Sequence, residues 1–200
     1  MNTVDEQADL SDLQRNRRSV RVFDPRHEIS ESDLARLFRA AQWAPSAGNS
    51  QPWGFLVGRR GDETHARFVQ HLSRGNRSWV PSASAVVITA HQIASGPEDD
   101  AMVFSDYALY DLGQSVALLG VEAGVLGLGI HQFAGFGHEA VAAEFDVPPH
   151  WRVTTAVAIG APGDPADADP LLVERDQRPR TRKPMADFVF AGSWGTPAGL

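Results

Sequence analysis

The 200-residue sequence contains no cysteine. Disulfides, thiolate catalysis, Cys-ligated zinc and cysteine-held iron–sulfur clusters are therefore excluded. Lysine is nearly absent as well: Lys183 is the only one, so almost all cationic charge is guanidinium. Positive charge is scarce overall, and the formal net charge is −7. A surface of that sign repels nucleic acid and anionic membrane, so neither is expected as a partner. Long apolar runs are missing too. The most apolar stretch, residues 115–130, falls short of the ~20 residues that cross a bilayer and carries Glu122. Residues 1–15 are polar and acidic, without the apolar centre of a secretory signal, which reads as a soluble cytoplasmic protein. The seven histidines form no HxH, HExxH or i,i+4 pair, so no metal site is expected. A G-x-S-x-G nucleophile elbow is absent.

What remains is ordinary for one globular domain over residues 1–200: 42% hydrophobic and 22% charged. Residues 11–16 predict a short helix. Ser30 opens a second helix as N-cap, with Asp33 as a capping-box partner. Leu34, Leu37, Phe38 and Ala41 form its apolar face at i, i+3, i+4, i+7, and Pro45 ends it. A strand is expected at 53–57, a helix from Asp62 to about Leu72, and a buried strand at 84–90. A long helix from about Val103 to Leu126 is apolar on most sides around Val116, Leu119 and Ala123, and predicts a buried central helix. Gly127 and Gly129 stop it. A strand at 130–133, a helix at 138–145 and a strand at 152–159 follow, then a Pro/Ala/Asp-rich excursion over 161–176. The mixture predicts an α+β or three-layer α/β/α domain. The five tryptophans are read as core residues. The tail 184–200 carries Met185, Phe188, Phe190 and Trp194, too apolar to float in water. It folds back on its own domain or packs on a partner subunit.

Four segments carry the chemistry. Arg17-Arg18-Ser19-Val20-Arg21 places three guanidinium groups and a hydroxyl together. Arginine presents a planar fork of donors that suits phosphate and stays charged near neutral pH. Alone, the run is also the pattern of a solvated face. Pro45-Ser46-Ala47-Gly48-Asn49-Ser50-Gln51-Pro52-Trp53 is a loop of small and amide residues stiffened by two prolines. It lets a flat ligand approach the backbone. Gly124-Val125-Leu126-Gly127-Leu128-Gly129 looks like a dinucleotide fingerprint, but its glycines close a helix instead of opening one. Beyond it, Ala134-Gly135 can present backbone N–H groups. Finally, Arg178-Pro179-Arg180-Thr181-Arg182-Lys183 gathers basic charge near the other end of an acidic chain. His131, beside the third segment, reads as a packed histidine, with a substrate contact as the other possibility.

Taken in order, these segments resemble the FMN-dependent nitroreductase family over roughly residues 10–195. The run Ala44 to Trp53 is the most specific part. The short single-domain members are the nearest in pattern; there a Tyr-x-x-x-Asp-x-Gly helix, here Tyr107, Asp111 and Gly113, precedes the Gly-Leu-Gly turn. The resemblance implies a nitroreductase-like α+β fold with a mostly antiparallel central sheet flanked by helices. It implies an interlocked homodimer with FMN at the interface, and the tail 184–200 on the partner. Arg17, Ser19 and Arg21, with Arg18 beside them, then hold the phosphate and ribityl chain. Arg180 and Arg182 close on the phosphate. Pro45, Ser46, Ala47 and Asn49 come from the other subunit and border the isoalloxazine ring. Ala134 and Gly135 aim N–H groups at its N5/O4 edge, and Asn76 makes a polar contact to the ring. The implied activity is a ping-pong oxidoreductase: NADH or NADPH donates a hydride, and a nitroaromatic, quinone or related electrophile accepts it. No side chain is named as acid or base. Dehydrogenation, dehalogenation or flavin fragmentation, and flavin binding without turnover, are the alternatives.

Overall fold

The four expected strands hydrogen-bond into one antiparallel sheet in the computed structural model, which describes residues 10–98 and 104–200. In chain order the elements are α1 (Asp12–Asn16), α2 (Glu31–Gln42), β1 (Trp53–Arg59), α3 (Glu63–Val69), β2 (Ala85–Gln92), α4 (Ala108–Val125), β3 (Gly129–Phe133), α5 (His138–Glu144), β4 (Trp151–Gly160) and α6 (Pro170–Gln177). The sheet order is β1-β2-β4-β3, so β1 and β3 are its two edges.

Side chains alternate faces along a strand, and the two central strands show where they go. On one face Val86, Ile88, Ala156 and Ala158 pack with Phe68 of α3, Val141 of α5 and Leu172 of α6. On the other, Ala85, Val87, Val157 and Ile159 pack with Leu34, Leu37 and Ala41 of α2 and Leu112, Val116, Leu119 and Ala123 of α4. The apolar face read for α2 is the face it buries, with Phe38 tilted on Phe55 at 5.3 Å between ring centroids.

Local chemistry sets the helix ends. Ser30 Oγ accepts the N–H of Asp33 at 3.0 Å, while its hydroxyl donates to Asp33 Oδ2 at 2.7 Å. Asp33 thus closes onto the Ser30 hydroxyl, where a capping box would reach the backbone N–H. Asp62 Oδ1 accepts the His65 N–H at 2.7 Å and its Oδ2 accepts that of Arg59 at 2.8 Å. At the end of α4, Gly127 takes φ +71°. The Leu128 N–H then reaches Ala123 O at 2.8 Å, and the Gly127 N–H reaches Gly124 O at 3.1 Å. This is the paired-bond C-cap that glycine's left-handed conformation allows.

Three expectations change. The excursion 161–176 holds all of α6 but its last residue, Gln177; the helix is capped by Asp169 Oδ1 on the Leu171 N–H at 2.9 Å and started by Pro170. Helix α4 is buried on one side only: Leu118, Val121 and Val125 on its other side are exposed, and residue 103, the expected start, lies outside the described residues. Of the tryptophans only Trp79 is buried; Trp43 and Trp194 are 80% and 93% exposed. Among the described residues no helix is long and apolar enough to cross a membrane.

Candidate functional site

The first arginine run is held against the free edge of β3. Ser19 bridges Ile130 in parallel, and the Val20 N–H donates to Ile130 O at 3.2 Å. Gly129 is needed there, because a Cβ on it would lie 2.7 Å from Val20 Cγ2. Farther along, the Gly163 N–H donates to Val22 O at 2.8 Å and the Asp24 N–H to Ala161 O at 2.9 Å. Residues 19–24 are thereby strapped to the sheet at both ends.

Helix α6 brings the second arginine run to the same place. Arg17, Arg18, Ser19 and Arg21 line a cleft of about 230 Å³ together with Arg175, Asp176, Arg178, Arg180 and Arg182. Arg180 donates to Arg17 O at 3.0 Å and also bonds Arg15 O. Burial, then the guanidinium groups of Arg18, Arg182 and Arg17, push the Arg180 pKa down. Like charges crowded this way are relieved by an anion in their midst. Asp176 was not anticipated as a site residue. Its Oδ2 accepts the N–H groups of Arg21 and Val22 at 2.7 and 2.9 Å, and its Oδ1 accepts Arg21 Nη1 at 3.3 Å.

Beneath this cleft His131 is buried, with Nδ1 donating to Val20 O at 3.1 Å and its ring 4.5 Å from that of Trp79. Burial, then the charge of Arg21, lowers its pKa and keeps it neutral. It is a packed histidine.

The turn after β3 is pinned through its carbonyls. Gly135 O accepts the Ser73 N–H at 2.9 Å and Asn76 Nδ2 at 3.0 Å. Asn76 Oδ1 in turn accepts Trp79 Nε1 at 3.1 Å. Ala134 O accepts the Phe136 N–H and His138 Nε2, at 3.0 and 3.1 Å. Both ends of the Asn76 amide are therefore engaged within the chain, fixing the turn. A Cβ on Gly135 would lie 2.6 Å from Asn76 Nδ2, so this approach requires glycine.

The amide loop lies elsewhere. Pro45, Ala47 and Asn49 are exposed and Ser46 is half-buried. Gly48, Asn49 and Gln51 all have positive φ, at +60°, +56° and +51°. Such strain in non-glycine residues persists only where surroundings over-determine it. Here the buried carboxylate of Asp111 accepts the Ala47 N–H at 2.9 Å, and Ser46 Oγ accepts the Gln51 N–H at 3.0 Å. Asp111 is the acid of the Tyr107/Asp111/Gly113 pattern, and this contact gives it a role. The loop leads into β1, whereas the arginine cleft lies beside β3, the opposite edge of the sheet. Three strand spacings, about 14 Å, separate those edges.

Known proteins resemble this chain in sequence and fold. The model of the Nitroreductase family matches residues 15–79, which hold the first arginine run and the amide loop. The uncharacterized 15.4 kDa protein in the ask 5′ region of Mycolicibacterium smegmatis is 40% identical over 151 residues, covering 72% of this chain and 98% of that one. The major NAD(P)H-flavin oxidoreductase of Aliivibrio fischeri is 29% identical over 99 residues, covering 48% of this chain and 44% of that one. A crystal structure described as an oxidoreductase containing FMN superposes with a TM-score of 0.87 at 29% identity, covering 98% of this chain and 99% of that one. With the arginine run, the amide loop and the antiparallel sheet all in place, the chain belongs to the nitroreductase family.

Proposed function

We propose that this protein is an FMN-dependent oxidoreductase that uses NADH or NADPH to reduce nitroaromatic, quinone or related electrophilic small molecules. The observation that carries the reading is the convergence of two arginine runs, some 160 positions apart, on one cleft with Ser19. Guanidinium forks and a hydroxyl are the donor set a phosphate monoester calls for. The related oxidoreductase named for NAD(P)H and flavin, and the similar structure containing FMN, support the same cofactor pair.

In this reading Arg17, Arg18, Ser19, Arg21, Arg180 and Arg182 hold the phosphate end. Ala134 and Gly135 offer backbone N–H groups to the polar edge of the ring, their carbonyls being used to pin the turn. Asn76 borders the ring while it clamps that turn. Pro45, Ser46, Ala47 and Asn49 lead into the opposite edge strand of the sheet and, in this reading, border the ring bound to a second copy. Bound FMN supplies the two-electron hydride chemistry. The chain's part is to anchor, orient and leave one ring face open to donor and acceptor in turn; no side-chain acid or base is assigned.

The protein in this reading is a single α/β/α three-layer domain over residues 1–200 that works in the cytoplasm as an interlocked homodimer. The uncovered side of α4 supports the dimer: Leu109, Tyr110, Leu118, Val121 and Val125 are all exposed. Gly113, Ala117 and Gly124 lie between them, also exposed. A continuous apolar helix face of this kind seeks a partner. The tail 184–200 is assigned to the partner surface. Its Met185, Phe188 and Trp194 are exposed, and the Trp194 ring is tilted against that of Phe190, 5.0 Å between centroids.

Anaerobic stopped-flow of the flavin-loaded protein with NADH and with NADPH, followed by an acceptor panel, tests the proposal. Bleaching of the flavin absorbance by either nucleotide and its recovery on adding acceptor are expected. A purified protein with no flavin absorbance that takes up no FMN overturns the whole reading. FMN left oxidised by both nucleotides removes the NAD(P)H half and favours another flavin reaction.

A further inference from the structure

A carboxylate in the middle of a phosphate cleft is an unexpected occupant. By charge alone, Asp176 repels a phosphate and cancels one of the guanidinium groups that attract it. Its bonds point to a different use. Three donors converge on it: two consecutive backbone N–H groups, of Arg21 and Val22, and the guanidinium of Arg21. A pair of successive N–H groups is itself an anion-binding concavity, and Asp176 fills it. The group is largely buried, with 18% of its side chain exposed against 27% for Arg21. Its own backbone carbonyl accepts Arg18 Nη1 at 3.3 Å. Asp176 therefore ties the start of the chain to α6 through backbone, guanidinium and carbonyl at once. The segment that carries Arg178, Arg180 and Arg182 leaves directly from that helix.

We propose that Asp176 is the positioning residue of the arginine cleft: it holds Arg21 in one orientation and joins the two arginine runs into one anion site. This rests on the reading of the cleft as the FMN phosphate site. An aspartate is required by the donor count. An asparagine offers one acceptor oxygen and an NH2 group, and facing three donors it leaves at least one of them unpaired. A longer acid reaches past the paired N–H groups. Preorganisation and charge then make opposite forecasts for the neutral variant. Positioning says Asp176→Asn binds FMN less well although the cleft has become more positive. Charge alone says it binds FMN more tightly.

The test is a fluorescence titration of the full-length, flavin-stripped protein with FMN and with riboflavin, which lacks the phosphate, at low and high salt. For Asp176→Asn the FMN dissociation constant is expected to rise about tenfold at both salts while that of riboflavin moves less than about twofold. For Asp176→Glu, which keeps the charge, a rise of about threefold for FMN alone is expected. The glutamate variant reads the same positioning where the asparagine variant does not fold. Asp176→Asn protein that binds FMN as tightly as the parent, or more tightly at low salt, overturns the positioning role. Equal losses for FMN and riboflavin overturn it as well, because they mark a general loosening of the fold. Parent protein that binds FMN no better than riboflavin overturns the phosphate reading, and the role of Asp176 with it.

Discussion

The two edges of the sheet carry two different kinds of surface. Beside β3 the surface is cationic and made of long side chains: arginines from the two ends of the sequence, with Asp176 paired to Arg21 among them. Before β1 it is uncharged and made of backbone: a strained turn of small and amide residues held by Asp111. Each uses one buried or half-buried aspartate to fix backbone N–H groups, but for different ends. At the β3 edge the aspartate engages the Arg21 guanidinium together with two backbone N–H groups. At the β1 edge it stabilises a conformation the loop would otherwise relax from. The first surface suits a compact anion and the second the rim of a flat ring. About 14 Å of sheet separates them. In the proposed reading the flavin takes one surface from each of two chains.

That comparison breaks most severely where the two chains would meet. Val121→Glu places a charge in the middle of the exposed apolar side of α4. Burying it unpaired against a second copy costs about 3–5 kcal/mol. Sedimentation should show monomers, and FMN binding should fall by more than either edge alone would explain. A monomeric variant that still binds FMN at parental affinity would mean that one chain suffices. Next in size is the cationic edge. Arg21→Ala or Arg182→Ala should weaken FMN binding by about 1.5–3 kcal/mol for each charged hydrogen bond lost. Riboflavin binding should be untouched. Unchanged FMN affinity in both variants would make the arginines solvated decoration. At the uncharged edge, Asp111→Asn leaves the Ala47 N–H with a poorer acceptor and should cost about 1.5 kcal/mol. Here the loss should be the same for FMN and riboflavin, since the loop faces the ring. A loss confined to FMN would place the loop at the wrong end of the ligand.

Much of this was legible because it is local. Ser30, Asp62 and Gly127 act on N–H and C=O groups a few residues away, so type and spacing announce their role. The arginine runs were legible as chemistry, but their convergence depends on β3 and α6. What stayed hidden depends on distant partners. Asp176 is one acid beside a basic run in sequence, and only folding places it against residues 155 positions earlier. Asn76 has the right side chain for a ring contact, yet Gly135 and Trp79 already engage both ends of its amide. The apolar character of α4 was plain, but hydropathy does not say what covers each side; one is covered by this chain's sheet and the other is not. Helix α6 was masked by composition. Its Asp169-Pro170 start is a sound N-cap signal submerged in other prolines and aspartates.

The smallest effect comes from the buried histidines under the two edges. His131 lies below the arginine cleft; His91 pairs across to Trp53 of β1, and His65 packs against Gly58 of the same strand. All three have pKa values below 6.5 in the folded chain, with burial as the first cause. For His131 the charge of Arg21 comes second, and for His91 that of Arg152. A group whose pKa is lowered by folding binds its proton more readily in the unfolded chain. Stability from these histidines is therefore constant above about pH 6.5 and falls as pH drops below it, at less than about 1.4 kcal/mol per pH unit for each. Urea unfolding of the flavin-free protein at pH 8, 7, 6 and 5 should show a flat upper half and a declining lower half. His131→Gln should make the decline shallower and leave the upper half flat. Because Arg21 contributes to the depression of His131, Arg21→Ala should also soften the decline, though less. Arg21 is far from β1 and should leave the share of His91 and His65 alone. A decline that His131→Gln leaves unchanged would assign the acid sensitivity to the β1 side of the sheet and free the cleft of any part in it.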